Sequence, residues 1–430
     1  MSGVLRCSEF GQVAVGADGF SEHELEHLVR LREGAPFFSE ERRAGSWFCR
    51  FGGYAGAIVL PSGRTLELLP KIASEGEVEA RALVMRMLAA TGLAPALDAD
   101  IAAYASSPHL LEAYLRLASV MAQQQLRRGL VHAYRRLELR LPVVRGRLRV
   151  GAQLARLPQR VDAHLLQADE FTADTTVNRA IKGSIRRIQR LAQLDETHGR
   201  CRELLARLDS VGETPPNGLA ELLSGLALDR RHAHLEPLIS ILRLIVVGYG
   251  SAVSAGADTP GPTLLFAMER LFEAYVAQRL RRVANGLDVR VQGPERWFAR
   301  DGRFSLRPDL VVFEGRRPIL ILDTKWKLLS DGISDVAASD LQQAFTYARV
   351  YRVSRVFLLY PGVASSDCLR SRFEVNDGSS IEICIEQLPL LGPGEDLDQA
   401  LAQILDHAYP ARCASQSVGS GRSSFSSMSA

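Results

Sequence analysis

The C-terminal part of this 430-residue sequence predicts an α/β domain with a mixed central sheet, and three observations support that prediction. Apolar runs of strand length alternate with segments of helical periodicity between about residues 262 and 408. Turn residues separate the runs, as Glu-Gly-Arg-Arg does at 314–317. The resulting order, α-β-β-β-α-β, combines a hairpin with strands that are joined through a helix, which is typical of a mixed sheet.

The elements of this domain follow a candidate linker at 256–262, where Gly and Pro are frequent. We expect a helix over 263–285, strands over 287–292, 309–313 and 318–323, a helix over 340–351, and strands over 355–360 and 380–387. The last residues, 415–430, are rich in Ser and Gly, and we expect this tail to be disordered.

Residues 1–75 are expected to form a β-rich N-terminal domain, and residues 76–255 a mostly helical region. In the first part we predict strands over 48–51, 57–60 and 65–69, separated by Gly and Pro turns, with a short helix over 23–32. In the second part we predict helices over 77–91, 110–128 and 177–208, strands and loops inserted over 129–175, and a Pro-Pro-Asn-Gly turn at 215–218.

Composition restricts the class of protein. A hydrophobic content of 47% with 23% charged residues is typical of a globular chain, and a net charge of +3 requires any nucleic-acid surface to be local. Six cysteines without a CxxC motif argue against a zinc site or a disulfide framework. No signal peptide is found, and Arg243 interrupts the apolar stretch 238–257, so we expect a cytoplasmic protein with a buried helix there and no membrane contact.

The residues that carry chemistry lie on two neighbouring predicted strands. Asp323 and Lys325 are two positions apart, so their side chains share one face, roughly 7 Å apart along the strand. Asp309 begins the preceding strand, and a hairpin can bring its carboxylate beside Asp323. Two carboxylates suit Mg²⁺, which prefers oxygen ligands, and an ammonium group can orient water or stabilise developing charge. The group therefore suits Mg²⁺-dependent phosphodiester hydrolysis.

The alternative interpretation is that both aspartates are polar residues at strand ends and that Lys325 is solvated. Against it, Asp323 follows four apolar residues, where a buried sheet does not tolerate an unpartnered charge. Only four of the 52 basic residues are Lys, so the chance of a lysine at any given position is only ~1%.

Two flanking helices carry further polar residues. Glu269 and Glu273 are four apart and share a helix face, so one of them could reach the metal or its water, although a solvated acidic stripe explains them equally well. Asp340, Gln343 and Tyr347 also line one helix face and could contact DNA phosphates. The alternative is that Tyr347 packs in the core while Asp340 caps its helix.

The ordered set Pro308-Asp309, Asp323-Thr324-Lys325 and Gln343-x₃-Tyr347 resembles the PD-(D/E)xK nuclease superfamily, and specifically the McrC family of nuclease subunits in McrBC methylcytosine-dependent restriction systems. Upstream segments resemble the same family: Leu69-Pro70-Lys71-Ile72, Arg128-Gly129-Leu130 with Tyr134, Arg145-Gly146-Arg147, and Asp169-Glu170-Phe171 followed by Asn178. The resemblance covers about residues 50–390.

The resemblance implies a restriction-endonuclease-like mixed sheet flanked by helices over 262–408. It implies that Asp309, Asp323 and the backbone carbonyl of Thr324 bind Mg²⁺, with Lys325 and Glu273 as further catalytic residues. Supporting or DNA-binding roles are then expected for the remaining polar helix residues, Glu269, Asp340, Gln343 and Tyr347.

The resemblance also implies a partner. In the family, McrB is a hexameric AAA+ motor that hydrolyses GTP and recognises DNA with modified cytosine, while McrC docks on it, stimulates GTP hydrolysis and cuts the duplex. The resemblance implies that the β-rich domain, 1–75, faces this motor and that the helical region, 76–255, docks on it. This sequence has no GxxxxGK[ST] motif, so we expect the chain itself to bind no nucleotide.

A basic segment, 127–149, holds eight arginines and one acid, Glu138. Within it, Arg128, Arg145 and Arg147 are the candidates for contact with the partner, and solvated or salt-bridged arginines are the alternative. Two other functions stay open at this point: a catalytically silent McrC-like adaptor that activates the GTPase, and a stand-alone DNA repair nuclease.

Overall fold

The computed structural model describes residues 3–16, 19–32, 36–43, 45–72, 76–92, 101–155, 163–247, 263–363, 368–392 and 394–409. The chain divides into two compact units, unit 1 (Met1–His109 with Leu265–Ala430) and unit 2 (Leu110–Leu264). The sequence-based division into four parts followed expected roles rather than contacts, and it stays a prediction. The candidate linker at 256–262 and the tail at 415–430 lie outside the described residues.

The N-terminal part of unit 1 is β-rich. Its elements are β1 (Val4–Ser8), β2 (Gln12–Ala14), α1 (Glu22–Arg32), β3 (Phe38–Arg43), β4 (Ser46–Phe51), β5 (Tyr54–Val59), β6 (Thr65–Leu69), α2 (Glu77–Ala90) and α3 (Ile101–Ala105). Strands β2, β4 and β3 form an antiparallel sheet, and β6 lies between β1 and β5. All five residues of β6 are buried, because both faces of this strand are covered. The predicted strands and the short helix are confirmed here.

Unit 2 is mostly helical with an inserted sheet. Its elements are α4 (Leu110–Arg127), β7 (Ala133–Leu141), β8 (Arg147–Leu148), α5 (Val150–Leu154), β9 (His164–Thr172), α6 (Thr176–Leu191), α7 (Asp195–Arg207), α8 (Pro216–Gly225), a 3₁₀ turn (Ala233–Leu235) and α9 (Glu236–Val247). Strand β9 pairs antiparallel with both β7 and β8. At the start of α6, the Thr175 hydroxyl accepts a hydrogen bond from the backbone N–H of Asn178, which caps the helix.

Two predictions for unit 2 can be compared directly with its helices. The predicted turn at 215–218 is wrong, because Pro216 begins α8; proline suits the first helical position, where no backbone N–H is needed. The apolar stretch expected to be a buried helix begins in α9, which buries Leu238, Ile239 and Leu242. Among the helices that the structure describes, none is long and apolar enough to cross a bilayer.

The C-terminal part of unit 1 follows the predicted alternation. Its elements are β10 (Thr263–Ala267), α10 (Met268–Val283), β11 (Asp288–Val291), β12 (Arg296–Trp297), β13 (Ser305–Leu306), β14 (Leu310–Glu314), β15 (Arg317–Thr324), a 3₁₀ turn (Gly332–Asp335), α11 (Ala338–Tyr351), β16 (Arg355–Gly362), β17 (Arg370–Glu374), β18 (Glu382–Pro389) and α12 (Gly394–Ala408).

A six-stranded sheet with the order β11-β14-β15-β16-β18-β17 forms the centre of this part. The β14–β15 pair is antiparallel, whereas β15–β16 and β16–β18 are parallel, so the predicted mixed sheet is confirmed. On one face, Val311, Ile321 and Leu358 pack with Tyr347 and Tyr351 of α11 in a core that excludes solvent. This packing fixes α11 over the strands that carry the candidate site.

The predicted helix over 263–285 is wrong at its start. Thr263–Ala267 forms strand β10, which extends the N-terminal sheet beside β5, and the helix begins only at Met268. The run Leu264-Leu265-Phe266 is buried, and a short apolar run of this kind fits a two-sided strand as well as a helix. Periodicity alone therefore did not decide between the two.

Candidate active site

The hairpin of β14 and β15 brings two aspartates to one end of the sheet. Its antiparallel register sets Leu310 opposite Leu322, so Asp309, just before β14, lies beside the end of β15. There Asp309 Oδ2 accepts hydrogen bonds from the backbone N–H of Thr324, at 2.8 Å, and from its hydroxyl, at 2.7 Å. Asp323, the residue before Thr324, is only 2% exposed. Both predicted carboxylates therefore occupy neighbouring positions, held by Thr324.

Lys325 lies directly after β15 and is fixed at both its backbone and its side chain. Its N–H donates to the carbonyl of Leu359 at 2.8 Å, which continues the pairing with β16. Its Nζ lies 2.7 Å from Asp323 Oδ2 and donates to Gln343 Oε1 at 2.8 Å. The predicted shared face of Asp323 and Lys325 is confirmed.

The electrostatics of this group are unbalanced in favour of negative charge. Burial raises the pKa of Asp323 to about 6; the charge of Asp309 adds to the rise, and Lys325 opposes it. For Lys325, burial lowers the pKa, but the charge and hydrogen bond of Asp323 together with the charges of Asp340 and Asp309 outweigh burial, and the pKa lies above its usual value. Asp323 Oδ2 is buried and accepts no regular hydrogen bond within the described residues, beyond its ion pair with Lys325.

Glu273 on α10 lies near the two aspartates. Burial raises its pKa, and the charges of Asp309 and Asp323 raise it further. Its Oε1 accepts a hydrogen bond from Gln292 Nε2 at 2.6 Å, and the backbone N–H of Gln292 donates to the carbonyl of Asp309 at 2.6 Å. Gln292, which has a positive φ of 50°, thus connects Glu273 to Asp309, and the sequence reasoning missed it.

Glu269 is placed differently from Glu273. It is exposed in the first turn of α10 and makes no hydrogen bond or ion pair with any residue that the structure describes. Its predicted supporting role therefore gains no contact and stays a prediction.

The residues predicted on α11 form a hydrogen-bonded chain behind Lys325. Gln343 Nε2 donates to the hydroxyl of Tyr347 at 3.0 Å, and that hydroxyl donates to the carbonyl of Arg307 at 3.4 Å. Tyr347 is buried in the core, as the packing alternative expected, and burial raises its pKa. Gln343 is thus held from behind while its oxygen orients the ammonium of Lys325.

Asp340 does not cap its helix, so that alternative is wrong. The N-cap of α11 is Ala337, which has no side chain that could accept a hydrogen bond, and Asp340 lies buried within the first turn. Its Oδ2 accepts hydrogen bonds from Lys327 Nζ at 3.1 Å and from the hydroxyl of Tyr360 at 3.2 Å. Asp340 therefore ties α11 to strand β16 and to the chain that follows Lys325.

A contact from the N-terminal part of unit 1 reaches the same segment. Both carboxylate oxygens of Glu9 accept from Trp326 Nε1 at 2.9 Å, and one also accepts from the backbone N–H of Lys71 at 3.0 Å. The Trp326 ring packs on Phe272 of α10, with centroids 5.3 Å apart. Because Trp326 is the neighbour of Lys325, Glu9 helps to fix the backbone position from which the Lys325 side chain extends. The sequence-based expectation for this domain was only that it faces the partner, and the sequence carries no local signal for the contact.

A second group of possible metal ligands, Glu382, Cys384 and His407, lies elsewhere in unit 1. Glu382 Oε2 is 2.7 Å from Arg355 Nε and 3.2 Å from His407 Nε2. Burial raises the pKa of the Cys384 thiol to about 12, so the thiol stays protonated at neutral pH. These contacts occupy Glu382 with the Arg355 guanidinium and the His407 ring, and they fix α12 to the sheet.

Comparisons with known proteins agree with the resemblance. The sequence matches the family model described as "McrBC 5-methylcytosine restriction system component" over residues 49–361. The fold is similar to a chain in the refined half-complex from the tetradecameric assembly of Thermococcus gammatolerans McrB AAA+ hexamers with bound McrC, at 17% identity and a TM-score of 0.73, covering 93% of this chain and 100% of that one.

A chain in the cryo-EM structure of the Thermococcus gammatolerans McrBC complex is similar at 17% identity and a TM-score of 0.52, covering 65% of this chain and 88% of that one. At this identity the two structures show the fold alone. No curated protein matches the sequence. The family model, however, extends over more than half of the residues, and the chain therefore belongs to the McrBC 5-methylcytosine restriction system component family.

Proposed function

We propose that this chain is the endonuclease subunit of a GTP-dependent restriction complex directed at modified cytosine. In this proposal the C-terminal part, 262–408, is a PD-(D/E)xK nuclease domain that hydrolyses phosphodiester bonds with Mg²⁺ in the cytoplasm. The observation that carries it is the convergence of Asp309, Asp323 and Lys325 at one end of the mixed sheet, with a buried aspartate oxygen that lacks a regular hydrogen bond.

The oxygen atoms of the site fit Mg²⁺. Oδ2 of Asp309 is occupied by Thr324, but its Oδ1 accepts no hydrogen bond within the described residues, and Oδ2 of Asp323 has only the lysine beside it. These oxygens and the backbone carbonyl of Thr324 would hold the ion, which prefers such ligands. When bound, Mg²⁺ supplies Lewis-acid polarisation of the phosphate and lowers the pKa of a coordinated water.

The chain's own groups would position the reactants. An ammonium group has three N–H donors. In Lys325, one points to Asp323 and one to Gln343, and the third N–H remains for a phosphate oxygen or for the attacking water. The raised pKa of Glu273 lies closer to neutral pH than that of an ordinary glutamate. A group whose pKa lies nearer the working pH can more readily accept a proton from water and release it again. The fixed geometry of Gln343 and Tyr347 keeps the ammonium in place during the reaction.

We further propose that the chain docks on a McrB-like AAA+ GTPase hexamer, stimulates its GTP hydrolysis and cuts double-stranded DNA that carries modified cytosine. Support comes from family membership and from the inserted sheet of unit 2. Arg128, directly after α4, and Arg145 and Arg147, at the start of β8, are exposed and form no ion pair with the described residues, whereas the nearby Arg136 pairs with Asp169 at 3.4 Å. These three arginines are therefore free to meet acidic groups of a partner.

Apolar side chains accompany these arginines. Tyr134 is 76% exposed, Val143 72% and Phe171 59%, and the rings of Tyr134 and Phe171 lie 5.1 Å apart. Exposed apolar groups beside basic ones are typical of protein interfaces rather than of free surface. Gly146 makes the turn between Arg145 and Arg147 possible: its φ is +86°, and a Cβ would lie 2.5 Å from the carbonyl oxygen of Gln167.

The test is cleavage of methylated plasmid DNA by the complex assembled with its motor partner, GTP and Mg²⁺. We expect Asp323→Ala to abolish cleavage while assembly and GTP hydrolysis persist, and Asp331→Ala, at an exposed aspartate of the same part, to cut normally. Cleavage by Asp323→Ala at the wild-type rate would show that the proposed site is wrong. A wild-type chain that accelerates GTP hydrolysis but never cuts would be a silent adaptor, and cleavage without any partner would indicate a repair nuclease.

A further inference from the structure

A recess of 410 Å³ on unit 2 is lined by arginines that the proposed function does not use. Gly183, Arg186, Arg187 and Arg190 follow one another on α6 at spacings of three, one and three, so they share one face of the helix. The facing wall is the segment 213–216 that leads into α8. The recess therefore presents three guanidinium groups from consecutive turns to one concave space.

The positive charge in this recess is only partly balanced. Glu213 is the acid among the lining residues, and it contacts both Lys182 Nζ, at 2.8 Å, and a guanidinium nitrogen of Arg186. Within the described chain, Arg187 and Arg190 have no carboxylate at ion-pair distance, and Arg187 Nε is buried without a hydrogen-bond acceptor. Among the residues that line the recess, one carboxylate thus stands against three guanidinium groups, and it contacts one of them.

This arrangement is unfavourable without an anion. Burial lowers the pKa of Arg187, and the charge of Arg190 lowers it further, which means that the protonated form is held at an energetic disadvantage. A guanidinium group nevertheless stays charged in proteins, so the two arginines repel each other in a partly enclosed space. Gly183 allows Leu219 of α8 to pack closely against α6, because a Cβ at this position would lie 2.8 Å from Leu219 Cδ1.

We propose that this recess binds a phosphate group, held by the guanidinium groups of Arg187 and Arg190. Planar guanidinium donors match phosphate oxygens in pairs, and the Thr214 hydroxyl on the facing wall offers one more donor. A concave space of 410 Å³ suits a phosphate with its sugar rather than the convex surface of a folded protein. The phosphate can come from a DNA backbone or from a free mononucleotide. This binding function is additional to the proposed nuclease site and shares no residue with it.

The first arm of the test measures binding of the full chain to a short fluorescein-labelled DNA duplex by anisotropy, in EDTA so that no cleavage can occur. We compare wild type, the double variant Arg187→Gln with Arg190→Gln, and Arg202→Gln, an exposed arginine of α7, as the matched control. If the phosphate belongs to DNA, the double variant should bind about tenfold more weakly. The slope of log binding constant against log salt concentration should also be less steep for this variant by about 1. The control should bind as the wild type does.

The second arm titrates guanosine monophosphate and inorganic phosphate against the unlabelled chain and follows its melting temperature. If the phosphate comes from a mononucleotide, these ligands should raise the melting temperature of wild type and control but not of the double variant, with DNA affinity unchanged. Arg190→Gln alone, at an exposed side chain, gives the same comparison should the double variant fail to fold. The proposal is overturned if the variants behave as the control does in both arms. It is also overturned if the variants lose affinity for a protein partner while both arms stay unchanged. Because both arms exclude cleavage, their outcome is separate from that of the nuclease test.

Discussion

Glu9→Gln should change how the stability of unit 1 depends on pH. Burial raises the pKa of Glu9 from 4.5 to about 6, although the N–H groups of Trp326 and Lys71 oppose the rise. When the pKa of an acid is higher in the folded state than in the unfolded state, ionisation of the acid opposes folding. This penalty grows as pH rises from the pKa of the unfolded state to beyond the pKa of the folded state. This shift corresponds to about 2 kcal/mol in full, of which about 1 kcal/mol develops between about pH 5 and pH 8. The glutamine of the variant does not titrate, so it lacks this penalty.

The assay is urea unfolding followed by tryptophan fluorescence. All three tryptophans, Trp47, Trp297 and Trp326, belong to unit 1, and Trp326 is the buried one, so the signal reports on this unit. The unfolding free energy of wild type minus that of Glu9→Gln should fall by about 1 kcal/mol between about pH 5 and pH 8. For Glu22→Gln, at an exposed residue of α1, the difference should stay constant. A pH-independent difference for Glu9→Gln would refute the buried, ionisable carboxylate beneath Trp326.

Three further substitutions test other contacts by the same unfolding measurement. Asp323→Asn should stabilise the metal-free chain by about 3 kcal/mol near pH 8, because ionisation of a carboxyl with a pKa of about 6 opposes folding there, while cleavage by the assembled complex is lost. Arg81→Met should destabilise unit 1 by about 3 kcal/mol or more, because the fully buried Glu67 loses two hydrogen bonds of 2.7 and 2.8 Å. Glu24→Gln should cost about 2 kcal/mol near neutral pH and progressively less as pH falls below about 4, because hydrogen bonds from Arg64 and other donors outweigh burial and lower the pKa of Glu24 to about 2. An unchanged unfolding free energy would contradict the contact that each variant tests.

The strands of the central sheet could be predicted because their apolar runs are continuous and end at clear turns. The predicted strands over 309–313 and 318–323 match β14 and β15 to within one residue at each end. Strand β17 could not be predicted, because its residues, Arg370–Glu374, are mostly exposed at the sheet edge and carry no apolar alternation. The predicted start of α10 was wrong for the opposite reason. An apolar run that is buried on both faces shows no periodicity that would distinguish a strand from a helix.

The candidate site divides along the same physical line. Asp323 and Lys325 could be grouped because a strand repeats every two residues, and Asp309 because a hairpin returns the chain to the same end of the sheet. The contact between Glu9 and Trp326 spans 317 positions, and no local pattern encodes a pairing of that separation. Gln292 is equally silent in the sequence, because its role depends on a backbone N–H and a side chain that meet different partners only in the folded chain.

The cause of each raised pKa separates the candidate site from the other buried acids. Among the described carboxyl groups, five have a pKa above its ordinary value, with burial as the largest cause: Glu9, Glu112, Glu273, Asp323 and Glu386. For Glu9, Glu112 and Glu386, every other cause lowers the pKa, because hydrogen bonds or positive charges surround the carboxylate, as expected of a structural contact. For Glu273 and Asp323, neighbouring carboxylates raise it further. Folding brings like charges together only where something else compensates them, and a divalent cation does so for several carboxylates at once. This convergence of negative charge, rather than burial, is the physical feature that supports a Mg²⁺ site at Asp309, Asp323 and Lys325.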